Sequence, residues 1–304
     1  MIFPAALRPG DTIYVVAPSS PFEHVLGWRG LGFLAERYRL VFNRNALFAK
    51  RGYLAGSDEG RRTELQAALH HPTAKAILAA RGGYGANRFV HDINFASLVD
   101  HPRWIIGFSD ITAIHGELAR HNVASIHASH LTALGRADLR ARKSMLDILE
   151  NPTQTRLFEG LTTVVKGSAF GPLFGGNLTM LHACAAASKL SVPQGAIVLL
   201  EDVTERPYRI DRMLTTLIVG GHFRGVAGFL IGQFTQCDPG PDRITVREVI
   251  EERLAGLGVP IVSNAPIGHD MINEPVILGA PTLVEASDRH SCAIQFPAHQ
   301  FPDR

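Results

Sequence analysis

Ser109 lies in IIGFSDITAIHGELARHN (105–122), where an apolar run breaks at Gly-Phe-Ser-Asp and passes directly into an amphipathic pattern. A serine at a tight strand-to-helix turn can present its hydroxyl as a nucleophile. The N–H groups and positive dipole end at the helix start would then stabilise a developing oxyanion, with the N–H of Asp110 the natural donor. Ser and Asp are equally at home as ordinary N-caps, so the same residues also fit a purely structural role. The full G-x-S-x-G elbow is not present, because Ile111 holds the second glycine position.

Three further segments carry candidate chemistry. In RGGYG (81–85), Gly82, Gly83 and Gly85 permit positive φ and close backbone approach. The stretch reads as a cradle for an oxyanion or a carboxylate, helped by Arg81, or as a plain βα turn. It matches neither G-x-G-x-x-G nor a Walker A loop. In LLEDVTERPYRIDRML (199–214), Glu201 and Asp202 fall at the end of an apolar run, and ligands of open α/β sheets lie beyond strand carboxyl ends. Glu205 is a rival acid that also fits the first turn of the following helix. In NAPIGHD (264–270), His269 follows an apolar stretch in a glycine-containing loop, and imidazole is the obvious general base with its ordinary pKa of about 6.5. There are fourteen histidines. His115, His121, His127 and His130 cluster near Ser109, and the H-x-x-H spacing of His127 and His130 invites a zinc reading. That spacing is not H-E-x-x-H, and no separated third ligand carries a recognisable motif.

The surrounding pattern shows how these residues are positioned. TIYVVA (12–17), LVFN (40–43), KAILAA (75–80) and RWIIGF (103–108) read as strands without polar alternation. Helical patterns lie between them: Leu31, Leu34 and Tyr38 share a face, Leu65 and Leu69 lie within 58–70, and 111–121 follows the serine. Strands of this kind, separated by helices, predict a parallel sheet covered on both faces. The periodicity weakens over 151–175. Beyond it, AIVLLE (196–201) and VAGFLIGQF (226–234) read as buried strands. Residues 205–219 form an amphipathic helix on Ile210, Met213, Leu214, Leu217 and Ile218, and Val246–Leu257 forms another. The tail from PVILGAPTLVEA reads as short strands and turns.

Bulk properties narrow the function classes. The 304 residues are 46% hydrophobic and 19% charged with a formal net charge of +2, which argues for no nucleic-acid or anionic-membrane partner. The three cysteines, Cys184, Cys237 and Cys292, are far apart and show no CxxC spacing. A reducing compartment is therefore expected, with neither a disulfide framework nor a zinc ribbon. The N-terminal stretch does not read as a signal peptide and no run is long enough to span a bilayer, so the expected location is the cytoplasm.

Taken in order, LRPGDTIYVVAPSSP at the start, GYLAGSDEGR (52–61), ARGGYGANR (80–88), IIGFSDITAIH (105–115), FGGNLTML (174–181), LEDVTERPYRIDRML (200–214) and PIGHD (266–270) resemble the LD-carboxypeptidase family of serine peptidases. That family includes muramoyltetrapeptide carboxypeptidases and microcin C self-immunity peptidases. The resemblance implies a Ser-Glu-His triad, which falls on Ser109, Glu201 and His269. It also implies a cofactor-free, metal-free mechanism and a homodimer.

The expected fold is α/β in two domains. A flavodoxin-like parallel-sheet domain (1–155) carries the nucleophile, and a linker (156–175) leads to a strand-rich mixed α/β domain (176–304) with the acid and base. The backbone N–H groups of Asp110 and Gly83 are expected to form the oxyanion hole, with Arg81, Gly82 and Tyr84 on the substrate. Arg81 offers a bidentate fork for a terminal carboxylate. The resemblance implies release of a C-terminal D-alanine from murein tetrapeptides in peptidoglycan recycling. A peptidyl-nucleotide hydrolase of the microcin type is the alternative within the class, and an immunity-type enzyme is expected to offer an aromatic surface for a base. The only tryptophans are Trp28 and Trp104, which leans toward the murein substrate. Two readings of other classes are a non-catalytic nucleotide- or peptide-binding module built on RGGYG and a metallohydrolase built on His127 and His130.

Overall fold

The structure, a computed structural model, describes residues 1–288 and 290–297. The chain divides into two compact units: Met1–Pro152 with Glu274–Ile277, and Thr153–Asn273 with the chain from Leu278 onward. In chain order the strands are β1 (Thr12–Val16), β2 (Arg39–Val41), β3 (Ala74–Ala79), β4 (Trp104–Gly107), β5 (Ser125–His127), β6 (Arg156–Phe158), β7 (Thr162–Val165), β8 (Gly167–Asn177), β9 (Ile197–Val203), β10 (Gly228–Thr235), β11 (Ile261–Ser263), β12 (Val276–Leu278), β13 (Pro281–Ala286) and β14 (Ser291–Gln295).

The first sheet runs β12-β5-β4-β3-β1-β2, and the pairings from β2 through β5 are parallel. β1 and β4 are buried at every residue and β3 at all but one, as apolar strands must be when helices cover both faces. Helix Asp58–His70 begins where the Ser57 side chain accepts the Gly60 N–H, and Asp58 and Glu59 complement the dipole in its first turn. It buries Leu65, Ala68 and Leu69. The strand order reverses between β1 and β3, so the loops leaving their carboxyl ends diverge and open a crevice there.

The second sheet is mixed and eight-stranded, in the order β6-β14-β13-β8-β9-β10-β11-β7. β8, β9, β10 and β11 pair parallel, while β7, β13, β14 and β6 join antiparallel. β9 reads IVLLEDV, apolar until its carboxyl end, where Glu201 and Asp202 emerge. Helix Pro207–Val219 opens on a proline, whose fixed φ suits the first turn, and buries Ile210, Met213, Leu214 and Leu217. Helix Val246–Leu254 starts at a capping box formed by Thr245 and Glu248.

Residues 156–175, expected as a linker, form β6, β7 and most of β8 instead. β6 and β7 pair with β14 and β11, and the first part of β8 with β13, each at least ninety residues further along the chain, while the end of β8 pairs with β9. A Thr-, Gly- and Val-rich stretch stabilised by such distant pairing leaves no local period to read. Among the described residues no helix is long and apolar enough to cross a membrane.

Candidate active site

Ser109 opens a 3-10 turn, Ser109–Ile111, that continues as helix Thr112–Arg120. Its φ is +64°, a left-handed conformation that costs an L-residue about 1–2 kcal/mol and persists where the surroundings dictate it. Those surroundings are specific. A Cβ on Gly107 would lie 2.8 Å from Ile111 Cγ1, so the space that two glycines share in the common elbow is here given entirely to Ile111. A Cβ on Gly82 would lie 2.8 Å from Ser109 Cβ and 3.1 Å from its Oγ. Gly82 thus lets the glycine loop pack directly against the nucleophile candidate.

The turn is held from within by residues that sequence reasoning left without a role. His115 Nε2 donates to the Gly107 carbonyl at 2.9 Å, and the Ala128 N–H donates to the same oxygen at 3.1 Å. Burial pushes His115 down to about 3, so its imidazole is neutral. The Phe108 ring stacks on His130, with centroids 4.9 Å apart, and meets His127 edge-on at 5.9 Å. The two histidines of the H-x-x-H pair therefore brace the residue before the serine. Among the described residues no group of three or more His, Cys, Asp or Glu is arranged to hold a metal ion.

Asp110 does more than supply an N–H. Its buried carboxylate accepts the Ala86 N–H at 2.8 Å, fastening the turn to the glycine loop. Burial raises its pKa, against hydrogen bonds from Ser19 and the Ala86 and Gly85 backbone that pull it down. The Asp110 N–H itself sits at the start of the 3-10 turn, where the first donors have no acceptor within the helix. In the glycine loop, Gly83 and Gly85 have φ of +101° and +132°. Ser20 N–H donates to the Gly82 carbonyl at 3.2 Å, and the Tyr84 N–H donates to Ser20 Oγ at 3.1 Å. Arg81 Nη1 donates to the Pro21 carbonyl at 2.5 Å. The Tyr84 side chain is exposed, its ring 5.9 Å from that of Tyr53.

In the second unit Glu201 is fully buried at the end of β9, and its Oε2 lies 2.7 Å from Nδ1 of His269. Glu205 pairs instead with Arg209, at 3.5 Å. The loop carrying His269 is clamped on several sides. β10 comes so close at Gly232 that a Cβ there would collide with the Ile267 carbonyl. The Gln233 N–H donates to that carbonyl at 2.8 Å. The Gln233 side chain accepts the Asp270 N–H at 3.1 Å and donates to the Ile272 carbonyl at 3.0 Å. Asn273 accepts the N–H of Gly268, whose φ is +147°. Nothing in the sequence marks Gln233 beyond its place near the carboxyl end of a buried strand.

Asp202, next to Glu201, is surrounded by donors: Asn177 Nδ2, the Thr179 N–H and hydroxyl, and the Val203 N–H, all within 3.0 Å. It ties the end of β8 and the start of helix Leu178–Ala186 to β9. Burial, and then the charge of Glu201, push it up to about 6. Chemically, a buried carboxylate on Nδ1 holds an imidazole in one orientation and tautomer, leaving Nε2 to exchange protons.

Comparison with known proteins identifies the family. Residues 13–128 match the LD-carboxypeptidase N-terminal domain and residues 170–284 the LD-carboxypeptidase C-terminal domain. A homologous chain of Synechocystis sp. is 35% identical, over 91% of this chain and 92% of its own length. The murein tetrapeptide carboxypeptidase of Pseudomonas aeruginosa is 32% identical, over 79% of this chain and 81% of its own. The structure of MccF in complex with glutamyl sulfamoyl guanosine superposes with a TM-score of 0.87 at 20% identity, over 97% of this chain and 98% of that one. At that identity the likeness speaks for the fold alone. With both domains matched in order, and relatives above 30% identity along most of its length, the chain belongs to the LD-carboxypeptidase family and is a serine-type carboxypeptidase.

Proposed function

We propose that Ser109 is the nucleophile, His269 the general base and Glu201 the acid that orients it. Ser109 Oγ attacks the scissile carbonyl carbon while its proton passes to His269 Nε2. The N–H groups of Asp110 and Gly83 take up the charge on the carbonyl oxygen. His269 then gives that proton to the departing group, leaving an acyl-serine. Water, deprotonated in turn by His269, releases the acyl half and restores the serine. Arg81, Gly82 and Tyr84 line the substrate side. The observation that carries the assignment is the 2.7 Å contact between Glu201 and His269. The strand order of the first sheet, reversing between β1 and β3, supports the flavodoxin-like reading of the N-terminal domain.

The substrate is a small peptide or a nucleotide-linked counterpart. A tryptophan count leans toward murein, but it overlooks Tyr53 and Tyr84, 67% and 46% exposed and paired at the glycine loop next to Gly82. Such rings offer a face to a base, and we give the nucleotide-linked, microcin-type substrate the better support. The murein tetrapeptide reading rests on the Pseudomonas relative, which carries that activity in its name. The free, buried cysteines suit a cytoplasmic working place, and the homodimer rests on the family resemblance.

The test compares wild type with Ser109→Ala on L-Ala-γ-D-Glu-meso-diaminopimelate-D-Ala and on an aminoacyl-nucleotide. Release that disappears in the variant supports the mechanism, and the ratio of kcat/KM for the two compounds assigns the substrate. Equal release by both proteins overturns the serine assignment.

A further inference from the structure

GYLAGSDEGR (52–61) carries part of the family resemblance, yet none of its residues is the nucleophile, the base or the acid. Its last residue, Arg61, sits one turn into helix Asp58–His70 and is only 3% exposed. An arginine at that depth needs partners, and Arg61 has three. Its Nη1 donates to the Pro18 carbonyl in the loop leaving β1, at 2.5 Å. Its Nη2 pairs with Asp58. The Phe89 ring lies against the guanidinium, its centroid 5.0 Å from Cζ. Asp58 is shared in turn with Arg88, whose Nη2 approaches it to 2.7 Å. Arg88 ends the 3-10 turn Ala86–Arg88 that follows the glycine loop, and Phe89 comes next.

The guanidinium also meets the glycine loop itself. A Cβ on Gly85 would lie 2.5 Å from Arg61 Nη1 and 2.8 Å from Leu54 Cδ2. From the turn of the nucleophile, the Asp110 carboxylate accepts the N–H of Ala86. Burial raises that carboxyl, and the charge of Arg61 is among the influences that pull it back. Gly85 and Ala86 are thus held by a buried cation from one helix and a buried carboxyl group from the turn that carries Ser109. The same ten residues hold the loop leaving β1, where the Ala55 N–H donates to the Ser19 carbonyl at 2.9 Å. Ser20, next in that loop, is bonded to Gly82 and Tyr84. The contacts of Leu54, Ala55, Asp58 and Arg61 therefore converge on the backbone around Gly83.

We propose that Arg61 is a positioning residue for the reaction: packed against Gly85 and bonded to Pro18 and Asp58, it fixes the glycine loop and sets the Gly83 N–H where charge develops on the substrate carbonyl. The inference rests on the serine-hydrolase reading above, in which Gly83 supplies that N–H. A donor of this kind acts on the transition state more than on the bound substrate. Its displacement lowers kcat and leaves KM nearly unchanged. Lysine cannot stand in for Arg61. Its ammonium keeps the charge but lacks the planar fork that reaches Pro18 and Asp58 together while lying on Phe89.

The experiment compares wild type, Arg61→Lys, Arg62→Gln and Ser109→Ala by amide hydrogen exchange over residues 80–90 and by hydrolysis of the two compounds named above. Arg62 is the control: it brings the same charge to the same helix but pairs with Glu59 at the surface, its side chain 37% exposed. The expected result is exchange at the glycine loop at least about tenfold faster in Arg61→Lys than in wild type, with Arg62→Gln unchanged. In Arg61→Lys kcat should fall about 10²-fold at a KM within about threefold, since losing an oxyanion donor outright costs about 10²–10³. Both are read well below the melting temperature of each protein, so a merely structural role leaves kcat per folded chain at the wild-type value. If Arg61→Lys does not fold, Asp58→Asn removes the partner of Nη2 at a carboxylate 36% exposed, and should move both readouts the same way. Unchanged exchange, unchanged kcat, or a rise in KM at constant kcat would each overturn the proposal. Unchanged kcat in Arg61→Lys, with hydrolysis that vanishes in Ser109→Ala, removes the role of Arg61 and leaves the serine mechanism. Hydrolysis that survives Ser109→Ala removes the mechanism, and the reaction role of Arg61 with it.

Discussion

His269 Nδ1 and Glu201 Oε2 meet at 2.7 Å, an imidazole 15% exposed against a carboxylate with no exposure at all. The pair joins the carboxyl end of a central strand to a loop 68 residues further along the chain. A carboxylate so enclosed holds a single tautomer of its partner.

Replacing Glu201 by Gln should lower kcat by about 10²–10⁴-fold, because an amide no longer secures the Nδ1–H tautomer or stabilises the imidazolium. Glu205→Gln should leave the rate within about threefold, since the pair it forms with Arg209 is of a kind that contributes little. Steady-state kinetics on both variants check this, and a comparable loss in each would shift the acid role toward Glu205.

Gln233 holds the His269 loop through both ends of its amide. Gln233→Leu removes the donor and the acceptor together. The expected effect is a fall in kcat of about 10²-fold from misplacing the base, with KM nearly unchanged and thermal unfolding little affected. A rise in KM at constant kcat would instead make Gln233 a substrate contact.

Gly107 and Ile111 share one volume. Gly107→Ala should cost about 1–3 kcal/mol by overpacking, and Ile111→Ala about 2–5 kcal/mol by opening a cavity. The double variant should be less destabilised than the sum of the two and should regain part of the activity lost in Gly107→Ala. Denaturant melts of all four proteins measure the coupling, and strict additivity would refute the shared-volume account.

Asp202 gives a pH signature. Its folded-state pKa of about 6 lies above the ordinary 3.8, so folding takes up a proton between these values. Its contribution is therefore fully present below about pH 4 and is lost as pH rises through about 6. Relative to Asp202→Asn, wild type should gain stability as the pH falls from 7 to 4, by at most about 3 kcal/mol for a shift of roughly two units. At pH 7 the Asn variant should itself be destabilised by about 1–3 kcal/mol, because all four partners of Asp202 are donors. Unfolding curves at pH 4, 5.5 and 7 test both statements.

Much of this was legible in the sequence. The apolar runs that became β1, β3, β4, β9 and β10 carry their own signal, as does the stripe on helix Pro207–Val219. Ser109, Glu201 and His269 stand where runs end and turn residues begin. β6, β7 and the first half of β8 were hidden because distant partners stabilise them. The side-chain work of Asp110, His115 and Gln233 was hidden for a related reason. A carboxylate bonded to a loop 24 residues away, or an amide gripping one 37 residues away, has no periodic trace. The pairing of Tyr53 with Tyr84 likewise exists only once the chain has folded.

β12 comes after His269 in the chain, yet it borders β5 in the first sheet. During synthesis, that sheet keeps one edge open until Ile277 has left the ribosome, long after Pro152 has closed the main body of the unit. At the usual 5–20 residues per second, this interval lasts roughly 6–25 s. An unpaired strand edge is a template for wrong partners, so the unit that carries Ser109 bears that hazard for about two-fifths of the synthesis of these 304 residues, until the strand that follows His269 arrives.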